Sequence, residues 1–317
     1  MPGQLLAVMH VADVHRGHVN LRTRRNPLDV YLECAVTCAK SFARQGWTLR
    51  VVSDDPGRLE QRARELGFGP DELPPFEHFQ FTLDVPEGIR FRGSHFRLGL
   101  IKALAEGHFG PEVGMIDVDT VALNPLVIPE LAVDELIGYA SPDDGYHTAR
   151  QPRISDEIEV LGGTRVENPQ WYGGEFIYGR AEAFARIVEP FEKVWSIYKR
   201  DVKRFHHVGD ETVWNAIFQG YDAVRIVDAG QINLLNRWWG RSMPVRQLSF
   251  ATVATGAIAH LAGDKTFIAA QARKPFDRET FIRAYQRRLR LVILGGGVGN
   301  AWARLNGRRG QYQPRYW

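Results

Sequence analysis

The sequence predicts an α/β protein built on a mostly parallel central sheet flanked by helices. Strand-like and helix-like segments alternate along the first part of the chain, which is the order in which parallel strands are joined through helices. The chain has 317 residues, 44% of them hydrophobic, enough to bury one large core. We expect one catalytic α/β domain over residues 1–272 and a basic helical tail over residues 273–317.

The individual elements follow from apolar periodicity and turn signals. Residues 5–12 are an apolar run predicted to be the first strand, and residues 29–45 carry apolar side chains at helical spacing. Residues 48–53 predict a second strand, closed by a turn at 54–57. The other predicted elements are helices over 58–66, 94–106, 181–200, 210–218 and 277–294, and strands over 113–116, 224–227 and 249–261. The polar stretch near 141–170 predicts no element.

Charge is distributed unevenly along the chain. Residues 273–317 contain eleven Lys/Arg and two Asp/Glu, a local balance of +9, so the rest of the chain carries −6 of the total of +3. The acidic body argues against nucleic-acid binding. The basic helix predicted over 277–294 is suited to contact with an anionic membrane. A helix that packs on the domain and leaves its basic face in solvent explains the same sequence pattern equally well.

Other sequence features bear on the cellular compartment. The N-terminus lacks the pattern of a signal peptide, and no segment has the ~20 apolar residues needed to cross a bilayer. We therefore expect a cytoplasmic protein, and the membrane-contact interpretation of the basic helix would place it at the inner face of the membrane. Cys34 and Cys38 share one face of the first predicted helix and are expected to be small buried side chains.

The central functional signal is an apolar strand that runs into Asp117-Val118-Asp119. Residues alternate in a strand, so both carboxylates project the same way at the edge where α/β proteins bind ligands. Two adjacent carboxylates repel each other unless a cation lies between them, and Mn²⁺ or Mg²⁺ takes such oxygen ligands. The alternative is a solvated strand end, since Asp-X-Asp is common by chance.

A second signal lies far downstream, in Ala259-His260-Leu261-Ala262-Gly263-Asp264-Lys265. A neutral imidazole can supply a further metal ligand, Gly263 lets the backbone approach a ligand closely, and Lys265 can neutralise phosphate charge. A structural histidine and a surface lysine are the competing interpretation.

Together the two motifs resemble the retaining GT-A glycosyltransferases of family 8, which combine a D-x-D after a strand with a late H-x-x-G-x-K-x-W-like segment. Phe267 stands where the family often has Trp. The resemblance covers about residues 5 to 270. It implies that Asp117, Asp119 and His260 bind Mn²⁺ or Mg²⁺ and that Lys265 contacts the donor diphosphate.

Two further segments extend the resemblance. Residues 170–176 correspond to an N-A-G-like turn beside the reacting sugar, with Tyr172 in place of Asn. Residues 210–215 are similar to the D-Q-x-x-x-N segment of family 8 and closer still to the D-E-x-x-x-N segment of family 6. This implies that Glu211, with Asp210, acts on the sugar face opposite the leaving group, with Glu175 as the rival carboxylate. The alternative for Asp210 and Glu211 is a helix N-terminus carrying acids that complement its dipole.

The implied reaction is metal-dependent, retaining transfer of a hexose from a UDP-sugar to a glycan or lipid-linked acceptor. The alternatives are a sugar-phosphate nucleotidyltransferase and a non-catalytic nucleotide-sugar-binding protein. Trp238 and Trp239 are candidates for stacking on an acceptor sugar, with a core role as the alternative. The residues expected to contact the donor are Asp13, Asn20, Arg97, Asp117, Val118, Gly174, Gly263 and Lys265.

Two patterns are set aside. The glycine run at 295–299 imitates a dinucleotide-binding fingerprint, but too few residues follow it to complete that fold. His206 and His207 have no partners at metal-ligand spacing and are expected to lie in a loop.

Overall fold

A computed structural model describes residues 3–13, 21, 23–141, 151–240 and 247–305, without the side chains of Asp13, Gln151 and 292–305. Ten strands lie within these ranges: β1 (Gln4–Met9), β2 (Thr48–Ser53), β3 (Phe76–His78), β4 (Glu112–Ile116), β5 (Thr120–Ala122), β6 (Glu135–Ser141), β7 (Trp171–Arg180), β8 (Arg225–Asp228), β9 (Leu235–Arg237) and β10 (Ile258–His260). The α-helices of the same ranges are α1 (Pro27–Ala43), α2 (Pro56–Glu65), α3 (Ile101–Ala105), α4 (Gln151–Gly162), α5 (Ala181–Asp201), α6 (Asp210–Gly220), α7 (Phe250–Val253), α8 (Lys265–Ala269) and α9 (Arg278–Leu305).

The main sheet has seven strands in the order β3-β2-β1-β4-β7-β6-β8. Neighbouring strands are parallel except at β7, which runs antiparallel to both β4 and β6. The predicted mostly parallel sheet is therefore confirmed. Because β7 is reversed, its amino-terminal end lies at the same edge as the carboxyl ends of β1 and β4.

A bulge interrupts β7 at this edge. Gly138 of β6 pairs with Ile177, but the next residue, Tyr139, pairs with Gly173, so residues 174–176 have no partner on β6. Bulges of this kind bend a strand and redirect its side chains and carbonyls. Here the Glu175 carbonyl accepts a hydrogen bond from the Asp117 N–H at 3.0 Å, which ties the bulge to the end of β4.

A second sheet of three short strands has the order β5-β10-β9, with β10 antiparallel to β5 and parallel to β9. In this sheet His260 pairs with Thr120 on one side and with Arg237 on the other. Segments that are far apart in the chain therefore end side by side.

Helices cover both faces of the main sheet. In β1, Leu5 and Ala7 belong to a buried cluster with α1, α8 and α9, whereas Leu6 packs into a cluster with α3, α5 and α6. This alternation is what a strand buried on both faces requires. Helix α1 begins where the Asn26 side chain accepts a hydrogen bond from the Leu28 N–H at 3.0 Å. Cys34 and Cys38 are buried and unpaired, as predicted.

Three predicted segments differ from the structure. The polar stretch after residue 141 contains α4, whose apolar residues Ile154, Ile158 and Leu161 follow helical spacing within a polar composition. Residues 92–100 form a 3₁₀ helix that leads into the short α3. The predicted strand over 249–261 is α7 followed by β10, because the Ser249 hydroxyl caps a helical turn by accepting from the Thr252 N–H at 3.1 Å.

Helix α9 packs on the body through its apolar face. Phe281, Tyr285 and Leu289 are buried in the same cluster as α1, while Arg283 and Arg287 are exposed. These three side chains are therefore covered by protein. The glycine run at 295–299 is part of α9. No helix in the described ranges has the length and apolar character needed to span a bilayer. The division of the chain at residue 272 stays a prediction.

Helices α4 and α6 touch through glycines. A Cβ added at Gly220 would lie 2.8 Å from the Gly162 Cα, and one added at Gly162 would lie 2.7 Å from the Gly220 Cα. We expect Gly220→Ala to push the helices apart and to lower the free energy of unfolding by about 1–3 kcal/mol, measured by urea denaturation. Gly93→Ala, whose Cβ would meet no heavy atom within 4 Å, is the control. Equal stability of the two variants would contradict this.

Candidate active site

The candidate site is assembled by the pairing of β5 with β10. Asp117 and Asp119 follow the end of β4 and immediately precede β5, and His260 is the last residue of β10. The Leu261 N–H donates to the Asp119 carbonyl at 3.0 Å, directly beside the paired His260 and Thr120. This pairing brings together two motifs that are remote in sequence.

Asp117, Asp119 and His260 have ligand atoms that all lie within 4.8 Å of one another. The Nε2 atom of His260 is 3.3 Å from Asp119 Oδ2 and 3.9 Å from Asp117 Oδ2. Both ring nitrogens of His260 are buried, and among the described residues neither has a hydrogen bond of good geometry. Two carboxylates facing an imidazole nitrogen without a hydrogen-bond partner form a donor set that fits a divalent cation.

Basic side chains neutralise the two aspartates. The Lys265 ammonium donates to Asp119, and the Arg97 guanidinium donates to Asp117. Burial alone would raise the pKa of Asp119, but Lys265 and His260 hold it well below its ordinary value. Asp117 has the more open carboxylate, with 28% of its side chain exposed against 3% for Asp119. Asp117 is therefore the more accessible of the two carboxylates.

Arg97 also joins the aspartates to the bulge and to α6. Its guanidinium donates to the Gly174 carbonyl, and its Nε lies 3.4 Å from Asp210 Oδ2. A Cβ at Gly174 would lie 2.4 Å from Asp210 Oδ2, so only glycine fits between the bulge and the start of α6. Arg97, Gly174 and Asp210, predicted from sequence, are therefore together at the site.

Glu175 lies behind His260. Its Oε1 atom is 3.4 Å from His260 Nδ1, and both of its oxygens accept hydrogen bonds of 2.6 Å from Arg237. Burial opposes ionisation of Glu175, but Arg237 and His260 lower its pKa. In His260 burial lowers the pKa, whereas Asp119 and Glu175 raise it to about 9. A carboxylate on the far nitrogen is the usual way in which a metal-binding histidine is oriented.

Glu211, in the first turn of α6, faces three polar groups. Its Oε2 atom accepts from Trp171 Nε1 at 3.1 Å and lies 3.3 Å from His207 Nε2, and its Oε1 atom is 3.5 Å from Arg237 Nη2. Burial raises the pKa of Glu211 to about 7, against the lowering effect of Arg237. The carboxyl group therefore changes its charge near neutral pH, as reactive carboxylates often do.

Comparison with known proteins places the fold. No family model and no curated protein matches the chain. The galactosyltransferase LgtC, solved with donor and acceptor sugar analogues, matches with a TM-score of 0.52 at 12% identity, over 87% of this chain and 98% of LgtC. An active-site mutant of LgtC matches with a TM-score of 0.54 at 11% identity over the same shares of the two chains. The chain has the GT-A fold. This confirms the predicted fold class.

The other residues that the sequence predicts to contact the donor lie in different parts of the structure. Lys265 is buried against Asp119, and Val118 is buried in the core. Gly263 lies against the Trp239 carbonyl, 2.5 Å from the position that a Cβ would take. Asn20 and the side chain of Asp13 are outside the described part of the chain.

The predicted turn over residues 170–176 belongs to β7 and its bulge, and it is held by α6. The Asn215 side-chain carbonyl accepts from the Tyr172 N–H at 2.9 Å, and the Asn215 amide donates to the Tyr172 carbonyl at 2.8 Å. Of the two candidate stacking residues, Trp238 is 7% exposed and belongs to the core, whereas Trp239 is partly exposed.

Three side chains at the site were not predicted from the sequence. Arg237 belongs to no recognisable sequence motif. Trp171 lies within the predicted turn over residues 170–176, and the sequence predicts only a loop position for His207. His207 does lie in a loop, but it contacts Glu211. The one available signal is the position of Arg237 directly after the short segment Leu234-Leu235-Asn236, since a charge that is buried with such a segment requires a partner.

The Glu175–Arg237 pair should be important for stability. Their side chains are 1% and 5% exposed, so Arg237→Gln leaves a buried carboxylate without its partner. We expect a loss of about 3–5 kcal/mol in the free energy of unfolding, measured by urea denaturation. Arg225→Gln, which breaks an exposed pair with Asp134, should cost less than about 1 kcal/mol. Equal losses would contradict the assignment. Because the fold lowers the pKa of Glu175, this stabilisation is present above the ordinary glutamate pKa and is lost in acid.

Proposed function

We propose that the chain is a metal-dependent glycosyltransferase that moves a hexose from a UDP-sugar to a hydroxyl of a glycan or lipid-linked acceptor, with retention of configuration. The observation that carries the proposal is the meeting of Asp117, Asp119 and His260 at a sheet edge that also holds the Glu211 carboxyl group. The GT-A fold and the family 8-like motifs support the same activity. On this basis we assign the chain to family 8 as a proposal.

Asp117, Asp119 and His260 would hold the Mn²⁺ or Mg²⁺ ion. When bound, the ion supplies Lewis-acid stabilisation of the charge that develops on the departing diphosphate. Glu175 orients His260 through Nδ1. Arg97 and Lys265, which contact the aspartates, supply further positive charge near the diphosphate.

Glu211 is proposed to act on the sugar. As a carboxylate it stabilises the positive charge that develops at the anomeric carbon as the bond to the diphosphate breaks and its electron pair leaves with the phosphate oxygen. The acceptor oxygen then forms the new bond, and its proton passes to the departing diphosphate. Glu175 is the less suitable carboxylate, because both of its oxygens are bound by Arg237.

Metal-dependent donor binding tests the proposal directly. We expect UDP-sugars with Mn²⁺ to raise the melting temperature and to be slowly hydrolysed, with GDP- and CMP-sugars giving smaller effects. Asp117→Asn should abolish the metal-dependent part of the shift, because it removes one of two carboxylate ligands. Asp134→Asn, in an exposed pair with Arg225, is the matched control.

Three outcomes would contradict the proposal that the chain is a metal-dependent glycosyltransferase. Equal stabilisation by UDP-sugar with and without metal would exclude the metal site as assigned. Pyrophosphate release from a nucleoside triphosphate and a sugar phosphate would indicate a nucleotidyltransferase. Tight donor binding with neither hydrolysis nor transfer, over a panel of sugar and lipid-linked acceptors, would indicate a binding protein.

Glu211→Gln tests the proposed role of the carboxylate. We expect turnover to fall about 10²–10³-fold, the usual cost of removing one electrostatic partner of a transition state. In the unmodified chain turnover should rise with pH through about 7, because the active form of Glu211 is the anion. NMR of the product should show the donor's anomeric configuration. Glu192→Gln, half-exposed beside Lys102, is the control. Full activity of Glu211→Gln would remove this residue from the mechanism.

A further inference from the structure

Arg237 is a buried cation that contacts two acidic side chains at once. The Nε and Nη2 atoms of its guanidinium donate hydrogen bonds to the two carboxylate oxygens of Glu175. The Nη2 atom also lies 3.5 Å from Glu211 Oε1. Its guanidinium lies over the rings of Tyr139 and Trp239, with distances to the ring centroids of 5.3 and 5.5 Å. The guanidinium is therefore held by a bidentate pair and by two aromatic faces.

The chain leaves room for this arrangement at one glycine. A Cβ at Gly173 would lie 1.9 Å from Glu175 Oε2 and 2.0 Å from Arg237 Nη2. Any side chain at this position would displace the paired side chains of Glu175 and Arg237. Gly173 belongs to the start of β7, where the bulge brings the backbone close to the pair.

We propose that Arg237 is a positioning residue for the reaction: anchored on Glu175, it orients the carboxyl group of Glu211 and favours its anionic form. The inference rests on the proposed function for the role of Glu211, whereas the contact between the two side chains is independent of it. Arg237 acts through Glu211 and has no assigned contact with substrate.

The charged groups around Glu211 show why a cation is needed there. Burial, Glu175 and Asp210 all raise its pKa, and Arg237 is the positive group that opposes them. His207 adds no positive charge at neutral pH, because burial lowers its pKa to about 3. Without Arg237, the pKa of Glu211 would be higher, and a smaller fraction of the carboxyl group would be anionic near neutral pH.

Trp171 provides a reporter that does not depend on activity. Its indole N–H donates to Glu211 Oε2, so its NMR signal in chain carrying ¹⁵N-labelled Trp should follow the charge of Glu211. Trp171→Phe identifies the signal. We expect a titration midpoint near 7 in the unmodified chain, and no such step in Glu211→Gln. A step that remains at the same pH in Glu211→Gln would show that Glu211 is not its source and would contradict the assignment.

Arg237→Gln should move this midpoint upward by about 1–3 units, the usual effect of losing an adjacent opposite charge. Arg237→Lys should keep the midpoint near that of the unmodified chain, because it keeps the charge. The acid limb of the pH–turnover profile should move in the same direction as the NMR midpoint. Arg225→Gln should change neither measurement, since its partners Asp134 and Glu135 are on the surface.

A second variant provides the same test if Arg237→Gln does not fold. The double variant Arg237→Gln/Glu175→Gln removes both charges of the buried pair. The loss of Glu175 lowers the midpoint, but Arg237 has the larger effect on Glu211, so the net shift is still upward. A midpoint unchanged in both variants would overturn the inference. A shifted midpoint in a chain that transfers no sugar would instead support the contact and overturn the proposed function.

Discussion

The pairing of β5 with β10 is the interaction on which the site depends. It fixes Asp119 beside His260 through a backbone hydrogen bond between Leu261 and Asp119. The same strand, β10, pairs on its other side with β9 and so brings Arg237 next to His260. One three-stranded sheet therefore places the candidate metal ligands and the Arg237 guanidinium side by side.

The acidic side chains that are gathered at one edge of the sheet need basic partners within the protein, because their negative charges are buried. Asp119, Glu175 and Asp210 are buried, and each has a basic partner: Lys265, Arg237 and Arg97 respectively. Removing one member of such a pair leaves the other as an uncompensated buried charge, which is far more costly than the pair is stabilising. The basic residues therefore support the fold, and in the proposed function they also serve the chemistry, so variants of them need a stability measurement beside any activity measurement.

Sequence patterns predicted those parts of the molecule that are governed by local rules. β1, α1 and β2 were recognisable because their periodicity and caps lie within one segment. The metal-ligand group was predictable because the two motifs have the residue types that a hard cation needs. Arg237, His207 and Trp171 were not, since their role comes from contacts between β7, β9 and the loop before α6. Short strands such as β5 and β9 likewise owe their conformation to partners distant in sequence.

The bulge in β7 makes the number of residues matter, as well as their identity, over this part of the strand. Its three residues without a partner on β6 are an odd number, so the inward and outward alternation of Trp171–Gly173 is reset relative to residues 177–179. Deleting or inserting one residue there would turn the Trp171 indole to the opposite face of the sheet, away from Glu211. Engineering or natural variation of this segment should therefore reject single-residue insertions and deletions.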